Sequence, residues 1–283
     1  MRDLLAVRNV SFTMSELIEM HLTAIAAEGA SPNTRKERGR CLRRLHDDLP
    51  FGIAAATTEQ IQAWLSYEKW ARWTRRTYAN HLFAFFEWLV AERYLPEDPT
   101  AGMASPKAPK CTPRPATDEQ LATALTAPEP LRTAVLLAAY AGLRRSEIVA
   151  VDRDHVTEDT IYIPSGKGGD PQTVATHPVV WDHIQGRRGP LITDVEGTRL
   201  TAAQLSSLAL RWFRSHGLPA FGLHRFRHWY GTAIQREHHD LLITQQALRH
   251  ASVVSTQGYA LVANQARDAA VRSLPVVSPR AEA

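Results

Sequence analysis

Cysteine is almost absent from this 283-residue chain, which has only Cys41 and Cys111. The two lack metal-ligand spacing and fall in separate segments, so a reduced, cytoplasmic protein is expected rather than a disulfide framework. No run of about eighteen apolar residues occurs, and Met1 to Thr13 lacks the apolar core of a signal peptide. Neither a membrane partner nor export is expected. Internal repeats and low-complexity tracts are missing too. The Gly-rich turn Gly166-Lys167-Gly168-Gly169 does not follow phosphate-loop spacing, which argues against a nucleotide-binding loop. No acidic cluster suggests Mg²⁺, and His228, His238 and His239 have no Cys or carboxylate partners at ligand spacing. No metal and no cofactor is expected.

What the chain does contain is enough apolar material for two cores, 44% of its residues. Its formal charge of +4 is mildly basic and compatible with a nucleic-acid partner, although clustering says more than the total. Thr13-Met14-Ser15-Glu16 is a capping box that opens a first helix, stopped by Gly29. Ser31-Pro32 opens a second, which carries Arg35, Lys36, Arg38, Arg40, Arg43 and Arg44 with Leu42 and Leu45 between them. Thr57-Thr58-Glu59-Gln60 caps a third. In the segment Trp70 to Tyr78, Arg72, Arg75 and Arg76 alternate with aromatics and hydroxyls. Such a segment suits phosphates and sugars, and equally a core for its tryptophans. The apolar stripe Leu82, Phe85, Phe86, Leu89 completes a fourth helix. Residues 1–98 therefore read as a small helical domain. Residues 99–116, rich in Pro and carrying Lys107 and Lys110, read as a basic extended linker.

Residues 117–283 form the second predicted domain, entered through the capping box Thr117-Asp118-Glu119-Gln120. The nearly all-apolar stretch Leu131 to Ala141 must be buried on most faces. It ends at Gly142 and is followed at once by Leu143-Arg144-Arg145-Ser146-Glu147. Ile161-Tyr162-Ile163 and Gln172 to Thr176 flank the glycine-rich turn as a hairpin with Lys167 at its tip. Helices are expected around Pro178 to Gln185 and Thr201 to Ser215. The fold class is thus mainly α, with a small β-hairpin in the C-terminal domain.

His224 and Arg227 stand three apart in the next helical segment, so both point the same way and suit an anion. His250 follows, and Tyr259 lies beyond a Ser/Thr-rich turn. Taken singly, each has an ordinary reading: a solvated helix face for the His/Arg pair, an exposed hairpin tip for Lys167, a packing residue for Tyr259. Taken together with Arg144 they make a constellation. Ala141-Gly142-Leu143-Arg144-Arg145-Ser146-Glu147-Ile148 resembles the first arginine box of the tyrosine recombinase, or phage integrase, family. His224-Arg225-Phe226-Arg227-His228 resembles its His-x-x-Arg box, Leu248-Arg249-His250 its Leu-Gly-His element, and Thr256-Gln257-Gly258-Tyr259 its Thr-x-x-Tyr ending. Arg249 stands where the family has Gly, and Phe226 where it has Leu, both at supporting positions.

The resemblance implies a helical core-binding domain plus a catalytic domain. It also implies a site made of Arg144, Lys167, His224, Arg227 and His250 around the nucleophile Tyr259. Arg144, Arg227 and His250 would hold the phosphate, Lys167 would protonate the leaving 5′ oxygen, and His224 would accept the tyrosine proton. Double-stranded DNA is the implied partner, gripped by the basic residues from Arg35 to Lys110 already named. A tetramer on two DNA sites is implied as well, with the C-terminal tail, Ala260 to Leu274, packing on a neighbour or on its own domain. Accessory DNA-bending or directionality proteins belong to the same picture. The N-terminal portion leaves no room for an extra arm-site domain, so a simple two-domain recombinase is expected, either an integrase or a chromosome-dimer resolvase. A type IB topoisomerase-like enzyme and a catalytically silent DNA-binding protein are the alternatives.

Overall fold

The computed structural model describes residues 4–7, 10–108, 113–164, 170–218 and 221–249. The chain divides into two compact units, Met1–Lys110 and Cys111–Ala283.

The first unit begins with an antiparallel pair, β1 (Leu4–Val7) and β2 (Val10–Thr13), in which Leu4 pairs with Thr13 and Val7 with Val10. This hairpin was not foreseen, because four-residue strands are too short to show a period. Four helices follow: α1 (Met14–Ala27), α2 (Pro32–Asp48), α3 (Thr58–Leu65) and α4 (Arg72–Ala91). Each predicted start is built as expected. Thr13 and Glu16 close a reciprocal capping box, as do Thr57 and Gln60, and Ser31 Oγ accepts from the Thr34 N–H at 3.1 Å with Pro32 at the first helical position. The α4 stripe is fully buried at Leu82, Phe85, Phe86 and Leu89. Each of these side chains contributes about 1.5–3 kcal/mol of burial. Trp64, Trp70 and Tyr78 pack edge to face and stacked at 4.3–5.5 Å, so this aromatic run serves the core, while Trp73 stays exposed.

Arg38 departs from the basic face expected of α2. Its Nε donates to His81 Nδ1 at 3.3 Å and its Nη1 lies 3.1 Å from His21 Nε2. Both imidazoles are buried, and His21 also packs against Phe85 and Trp88. Burial first, then the Arg38 charge, pushes each histidine down to about 4. An unfolded chain takes up these protons near pH 6.5 and the folded unit only near pH 4. Stability is therefore complete above the unfolded value and falls as pH drops through that window, by up to ~3 kcal/mol for each histidine. Thermal unfolding followed from pH 7.5 to 4.5 checks this. Tm should fall steadily and fall less in His81→Gln, whereas a flat profile would show that the imidazoles titrate normally in the fold.

The second unit is built around α6 (Leu131–Tyr140), in which Thr133 to Ala139 are all buried. Against it pack α5 (Asp118–Ala124), α7 (Arg145–Ala150), α8 (Pro178–Ile184), α9 (Ala202–Ser215) and α10 (His224–His238). An apolar helix with neighbours on nearly every side gives the site a rigid floor. The predicted hairpin is β3 (Thr160–Ile163) and β4 (Gln172–Ala175), with Ile163 opposite Gln172. The chain then turns through His239, whose backbone is left-handed, into α11 (Leu241–Leu248), capped by Asp240 Oδ1. No described helix is long and apolar enough to cross a membrane.

Candidate active site

The site is assembled at an elbow. Where α6 ends, Gly142 adopts φ 62°, and a Cβ there would lie 2.6 Å from the Tyr230 ring of α10. Only glycine meets both demands, and the chain so bent sets Arg144 as the N-terminal cap of α7. The start of α10 is fixed from the other side. The Arg225 carbonyl accepts from the Ala116 N–H at 3.1 Å, the Arg225 guanidinium donates to the Arg114 and Pro115 carbonyls, and Trp229 Nε1 donates to Asp118 Oδ1 at 2.6 Å. The His224–Arg227 turn is thereby pinned beside the elbow.

Arg227 is 1% exposed and Arg144 21% exposed at its side chain. Arg227 Nη1 donates to the Gly142 carbonyl and its Nη2 to the Leu248 carbonyl. Arg144 Nη2 donates to the Arg249 carbonyl at 3.3 Å. Two arginines thus satisfy carbonyls at the C-terminal end of α11, the end where a helix carries unpaired acceptors and a partial negative charge. They fasten the point from which the chain runs on to His250.

Glu147, buried to 1%, completes the cluster. Its Oε1 accepts from Arg144 Nη1 at 2.7 Å, and its Oε2 accepts from the Arg144 N–H and from Arg249 Nη2, each at 2.7 Å. Burial alone would raise this carboxyl, but the bonds from Arg249 and Arg144 hold it below the usual carboxylate range, so it stays charged. His224 keeps one edge exposed and stacks edge-on against His228, with ring centroids 4.4 Å apart. The protein on its other side, then the Arg227 and Arg144 charges, lower its pKa. The shift favours the neutral imidazole.

Arg144 and His224 both line a cleft of about 520 Å³, together with Arg145, Ser146, Ser206 and Leu210. A larger cleft of about 730 Å³, between Pro130 and Arg211, contains none of the predicted site residues. Of the six predicted catalytic residues, the structure therefore brings Arg144, His224 and Arg227 together. Lys167, His250 and Tyr259 lie outside the described residues, as do Lys110 and the tail from Ala260 to Leu274. Among the described residues no group of three or more His, Cys, Asp or Glu is placed to hold a metal ion.

The residues expected at DNA divide by what they touch. Arg40 pairs with Glu37 at 2.6 Å and Arg43 with Glu19, exposed contacts that a phosphate can displace at little cost. Lys36, Arg72 and Lys107 are exposed, and Arg35 and Arg75 are half-buried. Arg38 is engaged by the two histidines, and Arg76 holds the Ser105 hydroxyl and the Pro106 carbonyl. Glu147 and Arg249 went unread as site residues. The signal for the first was its spacing three after Arg144, and for the second a cation where the family keeps glycine.

Two arginines, a histidine and an acidic tether around one elbow concentrate positive charge beside the cleft, which suits an anionic group. The chain belongs to the phage integrase family, whose sequence profile matches residues 116–266, and it is a tyrosine recombinase by that membership. It is 28% identical over 280 residues to the tyrosine recombinase XerD of Vibrio vulnificus, covering 88% of this chain and 91% of that one. It is 30% identical over 197 residues to XerC of Salmonella typhi, covering 63% of this chain and 65% of that protein, just under two thirds of its length. The fold is similar to that of lambda integrase in its tetramer bound to a Holliday junction, with a TM-score of 0.71 at 17% identity, covering 88% of this chain and 77% of that one.

Proposed function

We propose that the protein is a site-specific DNA recombinase that cleaves and rejoins strands through a covalent 3′-phosphotyrosine at Tyr259. The observation that carries this reading is the arginine pair, Arg144 and Arg227, set on either side of the α11 terminus that leads into His250 and Tyr259. The Tyr259 oxygen attacks the scissile phosphorus, and the bond from phosphorus to the 5′ oxygen breaks. The phenolic proton passes to His224, and Lys167 supplies a proton to the departing 5′ oxygen. A 5′-hydroxyl from the partner strand then reverses the step, so the ester's energy is conserved. A phenol with a pKa near 10 is a weak nucleophile at neutral pH, and phosphoryl transfer asks chiefly for positioning and charge stabilisation, which the guanidiniums supply.

Two duplexes must be held at once for exchange, so we infer a tetramer on two sites with a four-way junction between the strand exchanges. The tetrameric lambda integrase complex supports that arrangement. We infer that the helical unit contributes to DNA binding through its exposed basic residues such as Lys36 and Arg72, with residues 99–116 as the basic connection. Incubation of wild type with a duplex nicked near the cleavage point should trap an adduct that survives denaturation. If none forms, the reading is wrong. Lys167→Ala should slow cleavage of ordinary DNA, yet spare a substrate with a 5′-thiol leaving group, which departs without a proton. Equal loss on both substrates would remove Lys167 from the acid role.

A further inference from the structure

Arg249 combines a glycine-like backbone with a long cationic side chain. It closes α11 at φ 52° and ψ 48°, in the left-handed region that L residues avoid. A residue kept there against its preference points to a contact that matters. Its side chain is 8% exposed. Nη2 reaches Glu147 Oε2 at 2.7 Å and the Gly142 carbonyl at 3.3 Å, while Nη1 reaches Gln172 Oε1 of β4 at 3.2 Å. One residue therefore joins the end of α11, the arginine elbow and the return strand of the hairpin that bears Lys167.

The decisive atom is Glu147 Oε2. A guanidinium fork matches both oxygens of a carboxylate, and Arg144 is already on Oε1 through Nη1. With Arg249 Nη2 on Oε2 beside the Arg144 N–H, the Arg144 fork meets the carboxylate through Nη1 alone, while its Nη2 lies 3.3 Å from the Arg249 carbonyl. Without the Arg249 side chain, Arg144 is drawn to close over both oxygens of Glu147, turning its donors away from the cleft that it shares with His224.

From this geometry we infer that Arg249 is a positioning residue of the phosphate site: it occupies Glu147 Oε2, so keeping the Arg144 fork turned to the scissile phosphate, and it ties β4 to the same elbow. The role rests on the strand-transfer reading, in which Arg144 binds that phosphate.

The test compares full-length wild type, Arg249→Gly, Arg249→Lys, Glu147→Gln and the Glu147→Gln/Arg249→Gly pair on the nicked duplex, with adduct rate, DNA affinity and Tm measured for each. Arg249→Gly relieves the left-handed strain and should fold and bind DNA within about twofold of wild type. Its adduct should form roughly 10- to 100-fold more slowly, the scale of one lost charge-assisted hydrogen bond. Arg249→Lys, which keeps a cation against Glu147, should recover at least about fivefold of that loss. Because the effect runs through the carboxylate, the paired variant should cleave within about twofold of Glu147→Gln alone. If Arg249→Gly does not fold, Arg249→Asn, which tolerates the same backbone, takes its place. Full additivity of the two losses, no recovery with Lys, or a wild-type rate in Arg249→Gly overturns the role while leaving strand transfer intact. Absence of any adduct with wild type overturns both.

Discussion

Tyr259→Phe is expected to bind duplex DNA as wild type does and to form no covalent adduct with it. The substitution removes a single oxygen and keeps the ring, so packing and the positive surface are preserved while the only atom able to attack phosphorus in this scheme is gone. Wild-type cleavage should be lost by more than about four orders of magnitude, since no positioned nucleophile remains and the other groups contribute only electrostatics. Gel-shift affinity and adduct yield, measured side by side, separate binding from chemistry. A Tyr259→Phe variant that still becomes attached to DNA would place the nucleophile elsewhere.

Arg227→Ala should do two kinds of damage. Removing one preorganised donor from a developing phosphorane costs roughly 10²–10³ in rate. The same deletion takes this donor from the Leu248 carbonyl and leaves the Gly142 carbonyl with Arg249 Nη2 at 3.3 Å, and a buried unpaired acceptor costs about 1–3 kcal/mol. Tm should therefore fall together with cleavage. Arg227→Lys should rescue neither fully, because one ammonium does not span two carbonyls as the planar fork does. Arg144→Ala offers the contrast. Arg144 is partly exposed and Glu147 keeps Arg249, so its loss should slow cleavage with a smaller change in Tm. Melting curves and adduct rates of the three variants check the pattern, and equal destabilisation by Arg144→Ala and Arg227→Ala would contradict it.

Most of the helical framework was readable because its signals are local. A capping box such as Thr117 to Gln120 involves residues three apart, and the apolar run of α6 announces burial on every side. The arginine and histidine boxes were readable as residue types at characteristic spacing. What escaped was decided by distant partners. Nothing along α2 distinguishes Arg38 from Arg35 or Arg40, and it turns inward because His21 and His81 approach from other helices. Arg249 showed itself in sequence only as a departure from glycine. Its left-handed backbone and its bond to Glu147, 102 residues earlier, require the folded chain. The β1–β2 hairpin depended on pairing between strands too short to declare themselves.

The proposed mechanism turns on a covalent bond between Tyr259 and the 3′ side of a cleaved DNA strand. Trapping the wild-type adduct on a nicked duplex, digesting it with protease and nuclease, and locating the attached nucleotide by mass spectrometry tests that bond itself. The expected product is a peptide containing Tyr259 that carries a 3′-linked nucleotide, with a free 5′-hydroxyl on the released strand. A nucleotide on any other residue, or a linkage through a 5′-phosphate, would rule that mechanism out.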